Sequence, residues 1–188
     1  MVYKGPVLFI VHPAGLYSDK KTDSLEGRQI DASRKKIEVA VKKAAMRGIP
    51  VVYERFEIMS GLRLGKKEER RFIDYANSLN PKPKLIESNI VTTNIALSEF
   101  EKVRLQLLRK GIAPSRFTLM GIYREKCVTA AAVKLAIAFP KAKIHLVEGS
   151  STVSYKSNHR QEPRKAKVKF PANIKRTKKL IPARHFAK

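Results

Sequence analysis

The sequence predicts an α/β domain built on an open, mostly parallel sheet covered by helices on both sides. Three observations carry this. Short apolar runs rich in β-branched residues, such as Val7 to Val11, read as strands buried on both faces. Helical patterns separate those runs. The connection from the first run through a helix to Ile49–Tyr53 has the form of a βαβ crossover, which makes its two strands parallel.

The elements follow in order. After the strand ending at His12 and Pro13, residues 14–29 are loop-like, with Gly15, Asp19, Asp23, Ser24 and Gly27. Asp31 is a plausible N-cap for a helix that turns Ile37, Ala40, Val41 and Ala44 inward and lysines outward. Gly48 ends it, and the second strand follows at once. Lys66 to Leu79 reads as a helix closed by Asn80-Pro81, and Lys84 to Ser88 as a short third strand. Asn94 opens a helix with Leu97, Phe100, Val103, Leu107 and Leu108 inward, ended by Gly111. Phe117 to Ile122 is a fourth strand and Lys143 to Val147 a fifth. Between them lies an Ala-rich helix, Val128 to Phe139, stopped by Pro140. Ligands of such sheets bind beyond the carboxyl ends of the strands. His12, Glu54, Ser88, the segment from Ile122 and Glu148 are therefore the positions to watch.

The 188 residues suffice for one domain with a sizeable core. Composition divides the chain into a domain over 1–153 and a basic C-terminal extension over 154–188, read as flexible or packed on a partner subunit, with one candidate strand at Val168 to Phe170. The extension holds 12 Lys and Arg against one acid, Glu162, within a chain of formal net charge +24. Such charge suits nucleic acid or another anionic partner through 154–188, or serves solubility alone. A single cysteine excludes an intramolecular disulfide and fits a reducing, cytoplasmic setting. No apolar stretch approaches the length of a membrane span.

Cys127 stands where the fourth strand gives way to the Ala-rich helix. A thiol in a helix's first turn feels the partial positive charge of unpaired N–H groups, and Arg124 and Lys126 add to it. Both favour the thiolate, and the same N–H groups can hold an oxyanion. The competing role is that of a small apolar filler under the helix.

Gly121-Ile122, four residues, then Cys127-Val128, followed by the Ala-rich helix and the strand to Glu148-Gly149, resembles the signature of the isochorismatase-like hydrolases, which include nicotinamidases and carbamoylsarcosine amidohydrolases. The first strand, the segment Arg47 to Tyr53 and the segment Leu108 to Gly121 follow the family's order, so the resemblance spans roughly residues 5–155. It implies a three-layer α/β/α sandwich with about six strands, commonly oligomeric, acting on a small amide or related substrate. It also implies a Cys-Asp-Lys triad, with Cys127 as nucleophile and the backbone N–H groups of Lys126 and Cys127 as oxyanion hole. Tyr123 and Arg124 would lie beside the substrate. The family's Asp position falls on His12 and its Lys position on Glu87; Lys82 and Lys84 precede the strand end. His12 is thus the candidate base and Glu87 its candidate partner. The metal ligands of nicotinamidases have no counterpart near Tyr53 to Phe56, so neither a metal nor a cofactor is expected. Two alternatives stay open: a rewired cysteine hydrolase, or an inactive scaffold whose basic segment binds an anionic partner.

Overall fold

A computed structural model of the chain describes residues 2–17, 25–54, 66–88, 97–121, 127–151 and 171–177. Six strands form one all-parallel sheet: β1 (Pro6–Val11), β2 (Val51–Glu54), β3 (Leu85–Ser88), β4 (Arg116–Gly121), β5 (Lys143–Ser151) and β6 (Ile174–Thr177), in the order β3-β2-β1-β4-β5-β6. The chain winds outward from β1 in one direction and from β4 in the other. The crevice beyond the carboxyl ends of β1 and β4 is therefore the topological switch point.

The central strands are apolar throughout because both of their faces are covered. Val7, Phe9 and Val11 of β1, with Val52, Phe117, Leu119, Ile144 and Leu146, join one core with α3 (Leu97–Arg109) and α4 (Thr129–Ala138). Leu8 and Ile10, with Val51, Tyr53, Met120 and Val147, join a second core with α1 (Leu25–Met46) and α2 (Lys66–Ser78). A one-residue slip would exchange these sets, so the register is firmly specified. Aromatic rings fill the first core: Phe117 meets Phe139 edge-on at 4.8 Å between centroids, and Phe9 lies between Phe100 and Phe117. Each such buried ring contributes roughly 1.5–3 kcal/mol. Ala131, Ala132 and Ala138 keep α4 close against the sheet.

Three elements differ from the expectation. The first helix begins at Leu25 rather than at Asp31, and a short 3-10 helix, Pro13–Tyr17, occupies the start of the segment read as loop. Gly27 and the polar cluster before it hide that start, although one glycine costs a helix only about 1 kcal/mol. The sixth strand lies inside the basic segment read as an extension. Residues 174–177 pair with β5, so this part of 154–188 completes the domain's sheet. The candidate strand at 168–170 falls outside the described residues. Ile174-Lys175-Arg176-Thr177 is polar because an edge strand needs only one apolar anchor, here Ile174 against the first core, and charge guards its open side. Asn173 ties the strand's entry to the carbonyl of Ala142 at 2.9 Å. No described helix is long and apolar enough to cross a membrane.

Candidate active site

The pairing of β1 with β4 ends where Val11 meets Gly121. Gly121 has φ +152°, and a Cβ there would collide with the Val11 carbonyl oxygen and side chain, so only glycine fits. One residue beyond Val11, His12 takes φ +52°, the left-handed region that a β-substituted residue enters at a cost of roughly 1–2 kcal/mol. Backbone strain of this kind gathers at functional sites. The turn folds the imidazole inward, and the His12 residue is only 2% exposed.

Its neighbour is Glu54, the last residue of β2, which is wholly buried. Nδ1 of His12 lies 3.7 Å from Oε2 of Glu54. That separation is too long for a hydrogen bond, and neither carboxylate oxygen of Glu54 has a hydrogen-bond partner among the described residues. Burial lowers the imidazole from its ordinary 6.5 to about 4. Burial raises the carboxyl from 4.5 to about 8, against an opposing pull from the ammonium of Lys134. Near neutral pH the two groups therefore form an uncharged pair rather than an ion pair.

Lys134 acts on Glu54 electrostatically and stands on the helix that follows the cysteine. It sits on α4 seven residues after Cys127, two helical turns along, in the stripe that also holds Ala131 and Ala138. Cys127 packs against the α3/α4 core from a widened turn just before α4. Glu54 points to the same side of the sheet, since its strand neighbour but one, Val52, belongs to that core. The Lys134 ammonium is itself lowered by desolvation and held up by Glu54, which is the reciprocal of the effect on the carboxyl. The thiol and the buried carboxyl thus lie on one side of the sheet, the imidazole is 3.7 Å from that carboxyl, and the amine acts on it electrostatically from further along α4. Such a set can take a proton from a nucleophile and return it to a leaving group.

Glu87 is placed elsewhere. It pairs in register with Tyr53, one position before Glu54, and therefore lies on the α1/α2 side. Tyr53 Oη donates to its Oε2 at 3.3 Å, and Gln106 Nε2 donates to its carbonyl at 2.8 Å. Of the residues singled out from sequence, the structure brings His12 to Glu54 rather than to Glu87. Tyr123, Arg124 and Lys126 lie outside the described residues. Sequence reasoning marked the end of β2 without giving Glu54 a role, and it missed Lys134. The available signal was that Lys134 is the one charged residue between Val128 and Phe139. Among the described residues no group of three or more His, Cys, Asp or Glu side chains is arranged to hold a metal ion.

The sequence matches no family model and no curated protein. The fold does match solved structures. The chain is similar to the pyrazinamidase/nicotinamidase of Streptococcus mutans, with 12% identity over 79% of this chain and 88% of that one and a TM-score of 0.55. It is similar to the nicotinamidase of Bacillus subtilis, with 12% identity over 79% and 86% and a TM-score of 0.53. It is also similar to the pyrazinamidase of Pyrococcus horikoshii in complex with zinc, with 16% identity over 79% and 86% and a TM-score of 0.52. At such identities the likeness establishes the shared fold, the isochorismatase-like α/β/α sandwich.

Proposed function

We propose that this chain, built on the isochorismatase-like fold, is a cysteine-dependent hydrolase of small amides in which Cys127 is the nucleophile and Glu54 carries the proton. The observation that supports this best is Glu54 itself. A wholly buried carboxyl without a hydrogen-bond partner among the described residues is costly, and functional sites are where such cost is retained. It lies at the carboxyl end of a strand beside the switch point, on the side of Cys127, with a titration close to neutrality.

In this reading the ionised carboxylate of Glu54 takes the thiol proton. Sulfur then attacks the amide carbonyl carbon, and the backbone N–H groups of Lys126 and Cys127 receive the oxyanion. Glu54 returns its proton to the nitrogen as the C–N bond breaks, which leaves a thioester and frees ammonia or an amine. Water, deprotonated by Glu54, attacks the thioester. The carboxylic acid departs, and the thiol regains its proton. His12 is the polar group nearest the Glu54 carboxyl, and Lys134 pulls that carboxyl's titration down toward neutral pH. Tyr123 and Arg124 are assigned to the substrate side. The amide class follows from the names of the similar structures, nicotinamidase and pyrazinamidase.

The test is hydrolysis of a panel of small primary amides, read beside thiol labelling by intact-mass spectrometry. Wild type should release ammonia from at least one amide, and Cys127→Ala should lose at least about a thousandfold in rate. Turnover unchanged in Cys127→Ala would end the hydrolase reading. A thiol that labels no faster than free cysteine, with no turnover of any amide, would favour the inactive scaffold with an anionic partner at 154–188.

A further inference from the structure

The outer face of α1 is a cationic surface that the hydrolase reading does not use. From Ala32 to Gly48 the exposed residues are Ala32, Lys35, Lys36, Val39, Lys42, Lys43, Met46, Arg47 and Gly48, and none is acidic. The one acid of this stretch, Glu38, and Asp31 just before it are engaged at the helix's sides. Asp31 pairs with Arg34 at 2.7 Å, and Glu38 accepts from Tyr17 Oη at 2.9 Å. Lys35 with Lys42, and Lys36 with Lys43, form two parallel rows, each pair about 10.5 Å apart along the axis. The surface continues past the helix. α1 packs over β5, and Val147 places the odd-numbered residues of β5 on the α1 side. Parallel pairing then puts Lys175 of β6, which is exposed, on that same side opposite His145.

We propose that this face binds the phosphate backbone of a double-helical nucleic acid, without reading its sequence. Two pairs of exposed ammonium groups along one helix face complement a duplex, which presents about one negative charge per 1.7 Å of its axis. The exposed residues of the face include no aromatic ring, so they offer no stacking platform for single strands. They also include no Asn, Gln or acidic side chain, the usual readers of adenine and cytosine edges, and ammonium groups act on phosphate as point charges. Val39 and Met46 are its only large apolar groups, 46% and 66% exposed, too few to anchor a helix in a bilayer. The net charge of +24 steers the same partner toward the protein from a distance.

The experiment titrates the full chain with a short RNA duplex, the matching DNA duplex, a single strand and anionic phospholipid vesicles across a range of salt. We expect both duplexes to bind in preference to the single strand and the vesicles, with affinity falling steeply with salt. Replacing Lys35, Lys42, Lys43 and Lys175 together by Gln should reduce the slope of log affinity against log salt by about 3.6, four contacts at roughly 0.9 each. A control with Lys82, Arg109, Lys110 and Lys141 changed to Gln removes the same charge away from this face and should leave most of that slope. Unchanged thermal unfolding of both variants keeps a folding defect from mimicking the effect. Equal losses in the two variants, no duplex binding, or preference for vesicles or single strands would each overturn the proposal. Which duplex binds more tightly distinguishes an RNA from a DNA partner within it. Amide turnover should be the same in both variants, so this result stands or falls apart from the hydrolase reading.

Discussion

Glu54 and Glu87 are the same residue type on adjacent strands, one position out of register, and they have different surroundings. Glu87 lies half-buried on the α1/α2 side with a phenol donating to it. Glu54 lies wholly buried on the α3/α4 side, facing an imidazole across 3.7 Å and an amine on α4. The alternation of a strand is enough to cause this, because one residue of offset sends a side chain to the opposite face. A carboxyl held in place by hydrogen bonds is a structural part. Glu54, with no hydrogen-bond partner among the described residues, is the one proposed to carry a proton.

The sharpest break of this contrast is catalytic. Glu54→Gln should lower kcat/KM for a cleaved amide by about 10²–10⁴-fold, the usual range for a general acid–base, while Glu87→Gln stays within a few-fold of wild type. Similar losses in both would erase the distinction. Next is the pH dependence of stability. Glu54 holds its proton in the folded state up to about pH 8, whereas unfolded Glu releases it near 4.5. Folding therefore binds an extra proton across that window, and the stability this supplies is lost as pH rises toward 8. His12 acts oppositely between about 4 and 6.5, where the unfolded state binds the extra proton. The two contributions largely cancel below 6.5, and Glu54 alone remains above it. Denaturant unfolding should show stability falling by up to about 2 kcal/mol from pH 6.5 to 8, and the fall should vanish in Glu54→Gln.

Lys134→Gln is a smaller perturbation. Removing the ammonium that pulls Glu54 down should move the carboxyl's titration further up, with its limb in the pH–rate profile and a several-fold loss of rate at pH 7. A profile that does not move would separate Lys134 from the site. Smallest is Tyr53→Phe, which takes the donor from Glu87 and should cost about 0.5–1.5 kcal/mol of stability by denaturant titration, with no change in the pH–rate profile.

The fold was legible wherever burial on both faces leaves a continuous apolar run, as in β1 and β4, or where a helix turns one stripe inward, as α3 does with Phe100, Val103 and Leu107, whereas Leu97 and Leu108, also read as inward, are exposed. β6 was not, because four residues with two cations carry too little pattern, and its pairing with β5 is a long-range choice. At the site, the strand–cysteine–helix arrangement at Cys127 could be read from the chain. The carboxyl proposed as its partner could not. The family's spacing drew attention to Glu87, and only strand register separates its face from that of Glu54. The link from Lys134 to Glu54 joins α4 to β2 across 80 residues, a separation that no local pattern bridges.

The coupling of Cys127 to Glu54 is measured most directly by the rate of Cys127 alkylation with iodoacetamide as a function of pH. In wild type and Glu87→Gln the rate should rise through an inflection near pH 8, where Glu54 ionises, and Glu54→Gln should shift or abolish that inflection. Identical profiles in wild type and Glu54→Gln would show that the thiol does not sense the buried carboxyl, and would contradict the account.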